Sequence, residues 1–216
     1  MLIPQSENDR MTGFVVFEGI DGCGKSSVAR LVSERIGKRT VLTREPTESW
    51  IGKAVRKGDK RKVSPYTDAL LFMADRAQHS IWISEQLKKG KLVLSDRYFH
   101  STVAYQAAYL KDKFDGDAFE WLLESNERIS LHPDLTILLV IPPKSALERI
   151  RGTRSRLSRF EKLDSLKEVH RNYLKLARRD RSIVRVDATR DLDSVVEKVL
   201  QLIAERKIYA YGESHE

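Results

Sequence analysis

The stretch GIDGCGKS, residues 19–26, constrains the fold of this chain more than any other feature. It matches the pattern G-x-x-x-x-G-K-[ST], it follows the apolar run 13–19, and it opens a helical pattern over 24–37. Glycines let the backbone between strand and helix curl so that its N–H groups point at a phosphate. The helix N-terminus adds partial positive charge there. The pattern therefore predicts a strand–loop–helix cradle for a nucleoside triphosphate.

Each polar group of the cradle has a predicted task. Lys25 is expected to reach the β- and γ-phosphates of the nucleotide, and the Ser26 hydroxyl is expected to bind Mg²⁺. The residues predicted to contact the nucleoside triphosphate are Gly19, Ile20, Asp21, Gly22, Cys23, Gly24, Lys25, Ser26 and Ser27. The alternative is a glycine-rich turn that carries Lys-Ser by coincidence.

Apolar runs and helical patterns alternate along the rest of the chain. Further strands are predicted at 39–46, 91–98, 132–143 and 181–189. Further helices are predicted at 64–90, 100–110 and 191–207. Strands that are apolar throughout are typical of a parallel sheet covered on both faces. We predict one α/β domain over 13–207 with a three-layer P-loop NTPase fold and a five-stranded parallel sheet. Residues 1–12 are interpreted as a polar extension and 208–216 as a tail.

Composition narrows the class of protein. The chain has 216 residues, a formal net charge of +8 and a single cysteine, Cys23, which suits a reducing compartment. No apolar run approaches the roughly 18 residues of a membrane-spanning helix, and the polar N-terminus has no signal-peptide pattern. These observations predict a cytoplasmic globular protein. The positive charge is compatible with a polyanionic partner or with thermal adaptation.

The tetrapeptide SDRY (95–98) is the first candidate for a site outside the cradle. It lies at the end of the third predicted strand, and the sites of parallel sheets open at the carboxyl ends of their strands. Asp96 is a candidate for the magnesium shell, and Arg97 is a candidate for pairing with a second phosphate. An Asp–Arg pair that only ties strand to helix is the alternative.

Two i,i+4 pairs in helical segments are further candidates. Phe72 and Arg76 share one helix face, and a flat ring beside a forked donor suits a nucleobase. A core phenylalanine next to a surface arginine would have the same spacing. Thr102 and Gln106, with Tyr105 beside them, form the second pair. These groups suit the reading of a base edge, and a capping or surface role is equally compatible with the spacing.

Together these motifs resemble one family. FEGIDGCGKSS, TREP, LLFMADRAQ, SDRYFHSTVAYQ, the arginine run at 149–160 and VDAT occur in the order seen in thymidylate kinases, from Gly13 to about Arg206. The resemblance implies ATP and dTMP as substrates, Mg²⁺ as cofactor, and transfer of the γ-phosphoryl group to the phosphate of dTMP. It also implies a homodimer, with no nucleic-acid or membrane partner. Candidates for the dimer interface, or equally for the core, are Leu70, Met73 and Trp82.

The resemblance also implies how the acceptor nucleotide is held. Phe72 is expected to stack on thymine, and Arg76 is expected to donate to its carbonyl. Thr102 and Gln106 are expected at the base edge or the nearby sugar. Tyr105 is expected against the 2′ carbon, where it would disfavour a ribose hydroxyl.

The remaining implied roles concern the sugar hydroxyl, the phosphates, the metal and adenine. Asp21 is expected to bind the 3′-hydroxyl, and Arg97 and Arg56 are expected to bind the dTMP phosphate. Glu45 is expected to lie near the magnesium-bridged phosphates. The expected magnesium shell is formed by Ser26, Asp96 and Glu18. The loop expected to pack against adenine is formed by Asp187, Ala188 and Thr189.

The basic run RIRGTRSRLSRF (149–160) allows three interpretations. It lacks the interleaved aromatic residues of a nucleic-acid patch, and its arginines cover several directions of a helical wheel rather than one face. In the family, a lid that folds over ATP occupies this place, which here is about 148–161. Some relatives carry an arginine at the position of Gly22, and those with glycine take the catalytic arginine from the lid. The expected catalytic arginines are Arg154 and then Arg156, with Arg159 at the nucleotide. Ser158 replaces an aspartate that is frequent in the family.

Two other functions stay open from sequence. Another P-loop nucleotide or deoxynucleoside kinase would share the cradle and differ in its acceptor. A DNA-associated ATPase would instead show salt-dependent DNA binding and hydrolysis stimulated by DNA.

Overall fold

The computed structural model describes residues 12–61, 63–153, 162–206 and 208. The strands are β1 (Gly13–Glu18), β2 (Thr40–Arg44), β3 (Leu92–Asp96), β4 (Leu135–Val140) and β5 (Ile183–Asp187). The helices within these residues are α1 (Lys25–Ile36), α2 (Trp50–Lys60), α3 (Pro65–Lys88), α4 (Phe99–Leu110), α5 (Ala118–Ile129), α6 (Pro143–Thr153), α7 (Leu163–Arg179) and α8 (Leu192–Glu205).

The five strands form one parallel sheet in the order β2-β3-β1-β4-β5. Each predicted strand is confirmed, and β1 is buried over its whole length. After β1 the chain builds β2 and β3 on one side of this strand and then crosses to β4 and β5 on the other side. A switch point therefore lies at the carboxyl end of the central strand, where α/β sheets bind ligands. The register places Asp96 opposite Phe17 of β1 and Arg44 of β2, so three strands end beside the turn that begins at Gly19.

Helices cover the sheet in two layers. α1 packs on β2 and β3 and against α8, which also packs on β5. In the other layer α3 packs on β1 and β3, and α7 packs on β5. α4 lies among α3, α5 and α7, and nearly all of its side chains are buried. The three-layer α/β prediction is therefore confirmed, and α4 carries site residues through the interior of the molecule.

Helix ends follow from local sequence. At the start of α3, the Ser64 hydroxyl accepts from the Tyr66 N–H at 3.3 Å, and Pro65 occupies the first turn. At the start of α8, the Asp191 carboxylate accepts from the Ser194 N–H at 2.9 Å. Within the described ranges no helix is long and apolar enough to span a membrane.

The structure adds elements to those predicted. The sequence patterns did not single out α2, α5 or α7. The core also includes Ile208, which is 7% exposed and packs beside Gly13. Residues 148–153, at the start of the predicted lid, belong to α6.

Candidate active site

The predicted cradle forms the turn between β1 and α1. Gly19 and Gly22 have positive φ values of 139° and 83°. A Cβ atom at Gly19 would lie 2.5 Å from the Leu139 carbonyl oxygen, and one at Gly22 would lie 2.4 Å from the Ala146 carbonyl oxygen. Both positions require glycine because β4 and α6 approach the loop backbone directly. An arginine at Gly22 would not fit this backbone.

Lys25 stands at the centre of the cradle and is 5% exposed. Its Nζ donates to the carbonyl oxygens of Gly19 at 2.8 Å and Ile20 at 3.0 Å. Among the described residues, the ammonium group is thus held against the loop by neutral groups and by no carboxylate. Its charge therefore stays available to a phosphate bound in the loop.

Ser26 and Asp96 meet at the mouth of the cradle. The Ser26 hydroxyl donates to Asp96 Oδ2 at 2.5 Å, and both residues line a cavity of about 780 Å³. The other oxygen of Asp96 is buried and has no hydrogen-bond partner among the described residues. A hydroxyl and a carboxylate are the hard oxygen ligands that Mg²⁺ takes alongside phosphate and water. These two residues fit the metal role predicted for them. No cluster of three or more His, Cys, Asp or Glu side chains suited to a metal occurs in the described part of the chain.

Glu18 has a different position from the one expected. Its carboxylate is fully buried and accepts from the Tyr98 N–H at 2.8 Å, the Ser101 N–H at 3.1 Å, the Ser101 hydroxyl at 2.6 Å and the Tyr173 hydroxyl at 2.8 Å. Burial raises the pKa of Glu18 above its ordinary value, and the hydrogen bonds oppose this effect. Both oxygens are occupied by the start of α4 and by α7. The geometry therefore gives Glu18 a capping role instead of the magnesium role that the resemblance implied.

Arg97 connects the end of β3 to the cradle. Its guanidinium forms an ion pair with Asp21, donates to the Ser101 hydroxyl at 3.2 Å and lies 5.1 Å from the centre of the Tyr105 ring. The backbone of Arg97 has φ of 76°, a strained value for a residue with a side chain. The Ser95 hydroxyl donates to the Arg97 carbonyl at 2.7 Å and supports this conformation. The local Asp96–Arg97 pair considered above is not what holds this turn, since each side chain reaches the cradle instead.

Asp21 and Tyr105 complete this corner of the site. The Tyr105 hydroxyl accepts from the Asp21 N–H at 2.9 Å, and the ring is almost fully buried. Burial alone would raise the pKa of Asp21, but the charges of Arg97 and Lys25 lower it below the ordinary value. The corner therefore holds an ionised carboxylate between two cations.

Arg76 lies in the interior and is 1% exposed. It donates to Glu45 Oε2 at 2.5 Å, Asn126 Oδ1 at 2.6 Å and the Thr102 hydroxyl at 2.9 Å. The interpretation of Arg76 as a surface arginine is wrong. Phe72 is half-buried one turn earlier on the same helix. The fixed, buried guanidinium beside a partly open ring is compatible with the base-reading role predicted for this pair.

Glu45 is bound to Arg76 rather than to the cradle. Its second oxygen, Oε1, lies 2.9 Å from Nδ1 of His79, whose Nε2 lies 2.9 Å from the Thr43 hydroxyl. Both carboxylate oxygens are thus engaged by Arg76 and His79. The Glu45 N–H donates to the Asp96 carbonyl oxygen at 3.1 Å, so the residue lies beside the proposed metal ligand. Its place near the magnesium-bridged phosphates stays a prediction.

The other predicted residues fall in two places. Gln106 is buried and donates to Asp68 at 3.2 Å, so a surface role for the Thr102–Gln106 pair is wrong. Arg56 donates to the Pro46 carbonyl oxygen at 3.0 Å and to Glu48 at 2.8 Å, and its side chain is 35% exposed.

The predicted adenine loop follows β5. Asp187 accepts from the backbone N–H and the hydroxyl of Thr189, at 2.9 and 2.6 Å, which tightens the turn. The Ala188 N–H donates to the Val140 carbonyl oxygen at 2.9 Å, and Arg149 donates to the Ala188 carbonyl oxygen at 3.1 Å. This loop therefore lies beside α6, next to Arg149, the first arginine of the basic run. Arg154, Arg156 and Arg159 lie outside the described residues, and their roles stay predictions.

Sequence reasoning missed three residues of this site. His79 lies three positions after Arg76, so helical spacing was an available signal. Asn126 and Tyr173 lie in α5 and α7 and belong to no motif, so nothing local indicated that they face Arg76 and Glu18.

Comparisons with known proteins agree on one family. A family model described as thymidylate kinase matches residues 17–199. A probable thymidylate kinase from Methanococcoides burtonii is 40% identical over 192 residues, covering 88% of this chain and 94% of its own. A probable thymidylate kinase from Thermococcus onnurineus is 42% identical over 205 residues, covering 88% and 96%. A solved structure of thymidylate kinase from Candida albicans has a TM-score of 0.79 at 24% identity and covers 92% of this chain and 93% of its own.

Proposed function

Because the chain belongs to the thymidylate kinase family, we propose that it transfers the γ-phosphoryl group of ATP to the phosphate of dTMP, giving dTDP and ADP. The observation that carries this proposal is the position of Arg97. Its guanidinium, at the carboxyl end of β3, is paired with Asp21 inside the cradle. A fixed cation thus stands between the triphosphate site and a second, polar site built around Arg76.

On the ATP side, the loop N–H groups and Lys25 bind the β- and γ-phosphates. Ser26 and Asp96 would hold Mg²⁺, and the ion would neutralise phosphate charge there. The loop at 187–189 packs against adenine, and its fixed turn beside Arg149 supports that role.

On the dTMP side, Arg97 and Arg56 bind the phosphate, and Asp21 binds the 3′-hydroxyl. Tyr105 lies against the 2′ carbon and disfavours a ribose hydroxyl there, and the burial of its ring supports this role. Phe72 stacks on thymine. The Nε–H of Arg76 is buried and has no partner in the described part of the chain, as expected of a donor kept for a substrate carbonyl.

Thr102 and Gln106 complete the dTMP side. Both are buried next to Arg76 and Asp68, so they hold the base edge or the sugar through the groups that these bonds leave free.

The reaction needs no catalytic base among these residues. The second pKa of a phosphate monoester is near 6, so the dTMP oxygen is already anionic at neutral pH. That oxygen attacks the γ-phosphorus, and the bond to the β–γ bridging oxygen breaks with its electrons remaining on ADP. The barrier lies in bringing anions together, so stabilisation of the equatorial oxygens by Lys25, Arg97 and the lid arginines Arg154 and Arg156 supplies the catalysis. Arg159 binds the nucleotide.

We also propose a homodimer in the cytoplasm. On α3, Leu70, Ile81 and Trp82 are 54%, 57% and 36% exposed, and this group of large apolar side chains on one helix supports an interface there. Met73 instead packs against the core.

An acceptor panel tests the function. Purified protein is incubated with ATP, Mg²⁺ and, separately, dTMP, dUMP, UMP, CMP or thymidine, and ADP formation is measured. We expect dTMP to give the highest kcat/KM. Preference for thymidine or CMP would contradict the proposal and favour another P-loop kinase.

A further inference from the structure

We propose that Asn126 is a positioning residue that orients Arg76 and thereby sets selectivity for a base with a carbonyl at the recognised edge. This inference rests on the proposed function, because it concerns how the acceptor base is read. Asn126 belongs to α5, an element that contributes none of the sequence motifs, and its side chain is fully buried.

The orientation of the Asn126 amide is determined by its two partners. Its Nδ2 donates to the Leu122 carbonyl oxygen, one turn earlier in α5, at 2.7 Å. A carbonyl can only accept, so the nitrogen of the amide must face Leu122. The Oδ1 atom therefore faces Arg76 and accepts from its NH1 at 2.6 Å. Asn126 thus presents a single, fixed acceptor to the guanidinium.

Two other acceptors bind the opposite nitrogen of Arg76. Glu45 and Thr102 both accept from NH2, at 2.5 and 2.9 Å. Contacts on NH2 alone allow the guanidinium plane to pivot about that nitrogen, whereas a third contact on NH1 removes the pivot. Glu45 supplies the charge that compensates Arg76, and Asn126, being neutral, supplies orientation.

A fixed guanidinium plane matters because thymine and cytosine differ in one group. The position that is a carbonyl acceptor in thymine is an amino donor in cytosine. An N–H donor held in one direction bonds to the carbonyl oxygen of thymine. In cytosine the same N–H faces the amino group, which is also a donor. If the plane can pivot, the bond to thymine weakens and the penalty against cytosine falls.

Asn126→Leu is the direct test, because leucine has nearly the same volume and lacks the acceptor. We expect kcat/KM for dTMP to fall about 10- to 100-fold, as for the loss of a hydrogen bond to a charged group. The change should lie mainly in KM for dTMP, with KM for ATP within about twofold of wild type. The ratio of kcat/KM for dTMP to that for dCMP should fall as well. Asn126→Asp keeps the acceptor for Arg76 but loses the donor to the Leu122 carbonyl oxygen, so it should retain more dTMP activity than Asn126→Leu and less than wild type.

Thr136→Val is the matched control. Thr136 in β4 is also fully buried, and its hydroxyl has no hydrogen-bond partner among the described residues, so this change removes a buried polar atom away from Arg76. Its kinetics should match those of wild type. If Asn126→Leu does not fold, Asn126→Ser replaces it, since the serine hydroxyl is too short to reach Arg76.

The outcomes separate the two proposals. An Asn126→Leu protein with wild-type base selectivity, or with equal rises in KM for ATP and dTMP, would overturn the positioning role. A wild-type protein that phosphorylates a different nucleotide would overturn the proposed function, and the same variants would then measure selectivity toward that nucleotide.

Discussion

The capping role of Glu18 gives a quantitative prediction for Glu18→Ala. The change removes an acceptor from the Tyr98 and Ser101 N–H groups and from the Ser101 and Tyr173 hydroxyls. Some of these donors keep another partner, since the Ser101 N–H also donates to the Tyr98 carbonyl oxygen at 3.0 Å and the two hydroxyls lie 2.9 Å apart. The Tyr98 N–H donates to Glu18 and would be left without this acceptor, so it accounts for most of the lost stability.

A buried donor without an acceptor costs about 1–3 kcal/mol, and the smaller losses bring the expected total to about 3 kcal/mol. For a chain of this length each kcal/mol lowers Tm by about 2–4 °C, so Tm should fall by roughly 6–12 °C. Calorimetry or thermal circular dichroism without Mg²⁺ measures this. Glu18→Gln is the matched control, because it keeps one oxygen and the volume, and its Tm should fall by no more than about half as much.

The same variants distinguish capping from metal binding. If Glu18 shaped the magnesium shell, Glu18→Ala would leave Tm without Mg²⁺ close to wild type and would raise the Mg²⁺ concentration needed for half-maximal activity. That pattern would refute the role assigned here.

Three further predictions follow from other parts of the molecule. Burial lowers the pKa of His100 to about 3, so below pH 6.5 the unfolded chain binds a proton that the folded protein does not. Stability should therefore fall with falling pH by up to about 1.4 kcal/mol per pH unit, and urea unfolding of His100→Leu should show a shallower dependence. Gly22→Ala should lower Tm, because its Cβ would meet the Ala146 carbonyl oxygen at 2.4 Å and φ is 83°; an unchanged Tm would contradict the described loop geometry. Arg154→Ala should lower kcat with dTMP by about 100-fold or more with little change in Tm, and activity within a few-fold of wild type would exclude Arg154 as the catalytic lid arginine.

The sequence predicted the structure correctly where a local pattern is compatible with only one backbone arrangement. The apolar run at 13–19 and the glycines after it correctly predicted a buried strand followed by a turn. SDRY was also placed correctly, at the end of the apolar run that forms β3. Apolar runs and glycines are visible in the local sequence, whereas the approach of β4 and α6 to the loop backbone is not.

The contacts of other site residues are not encoded in sequence spacing. The roles of Glu18 and Glu45 near the metal and the phosphates were implied by the family resemblance of the motifs that contain them. Glu18 is bound by Ser101, 83 residues later in the chain, and Glu45 by Arg76, 31 residues later. Asn126 contributes to the site across 50 residues of sequence, and no motif marks it.

A ³¹P NMR time course with ATP, Mg²⁺ and dTMP tests the central claim most directly, because it follows both products in one sample. The proposed function predicts that the phosphorus signals of dTDP and ADP grow at equal rates while the dTMP signal declines. Growth of ADP together with inorganic phosphate, with dTMP unchanged, would contradict it and would identify the protein as an ATPase.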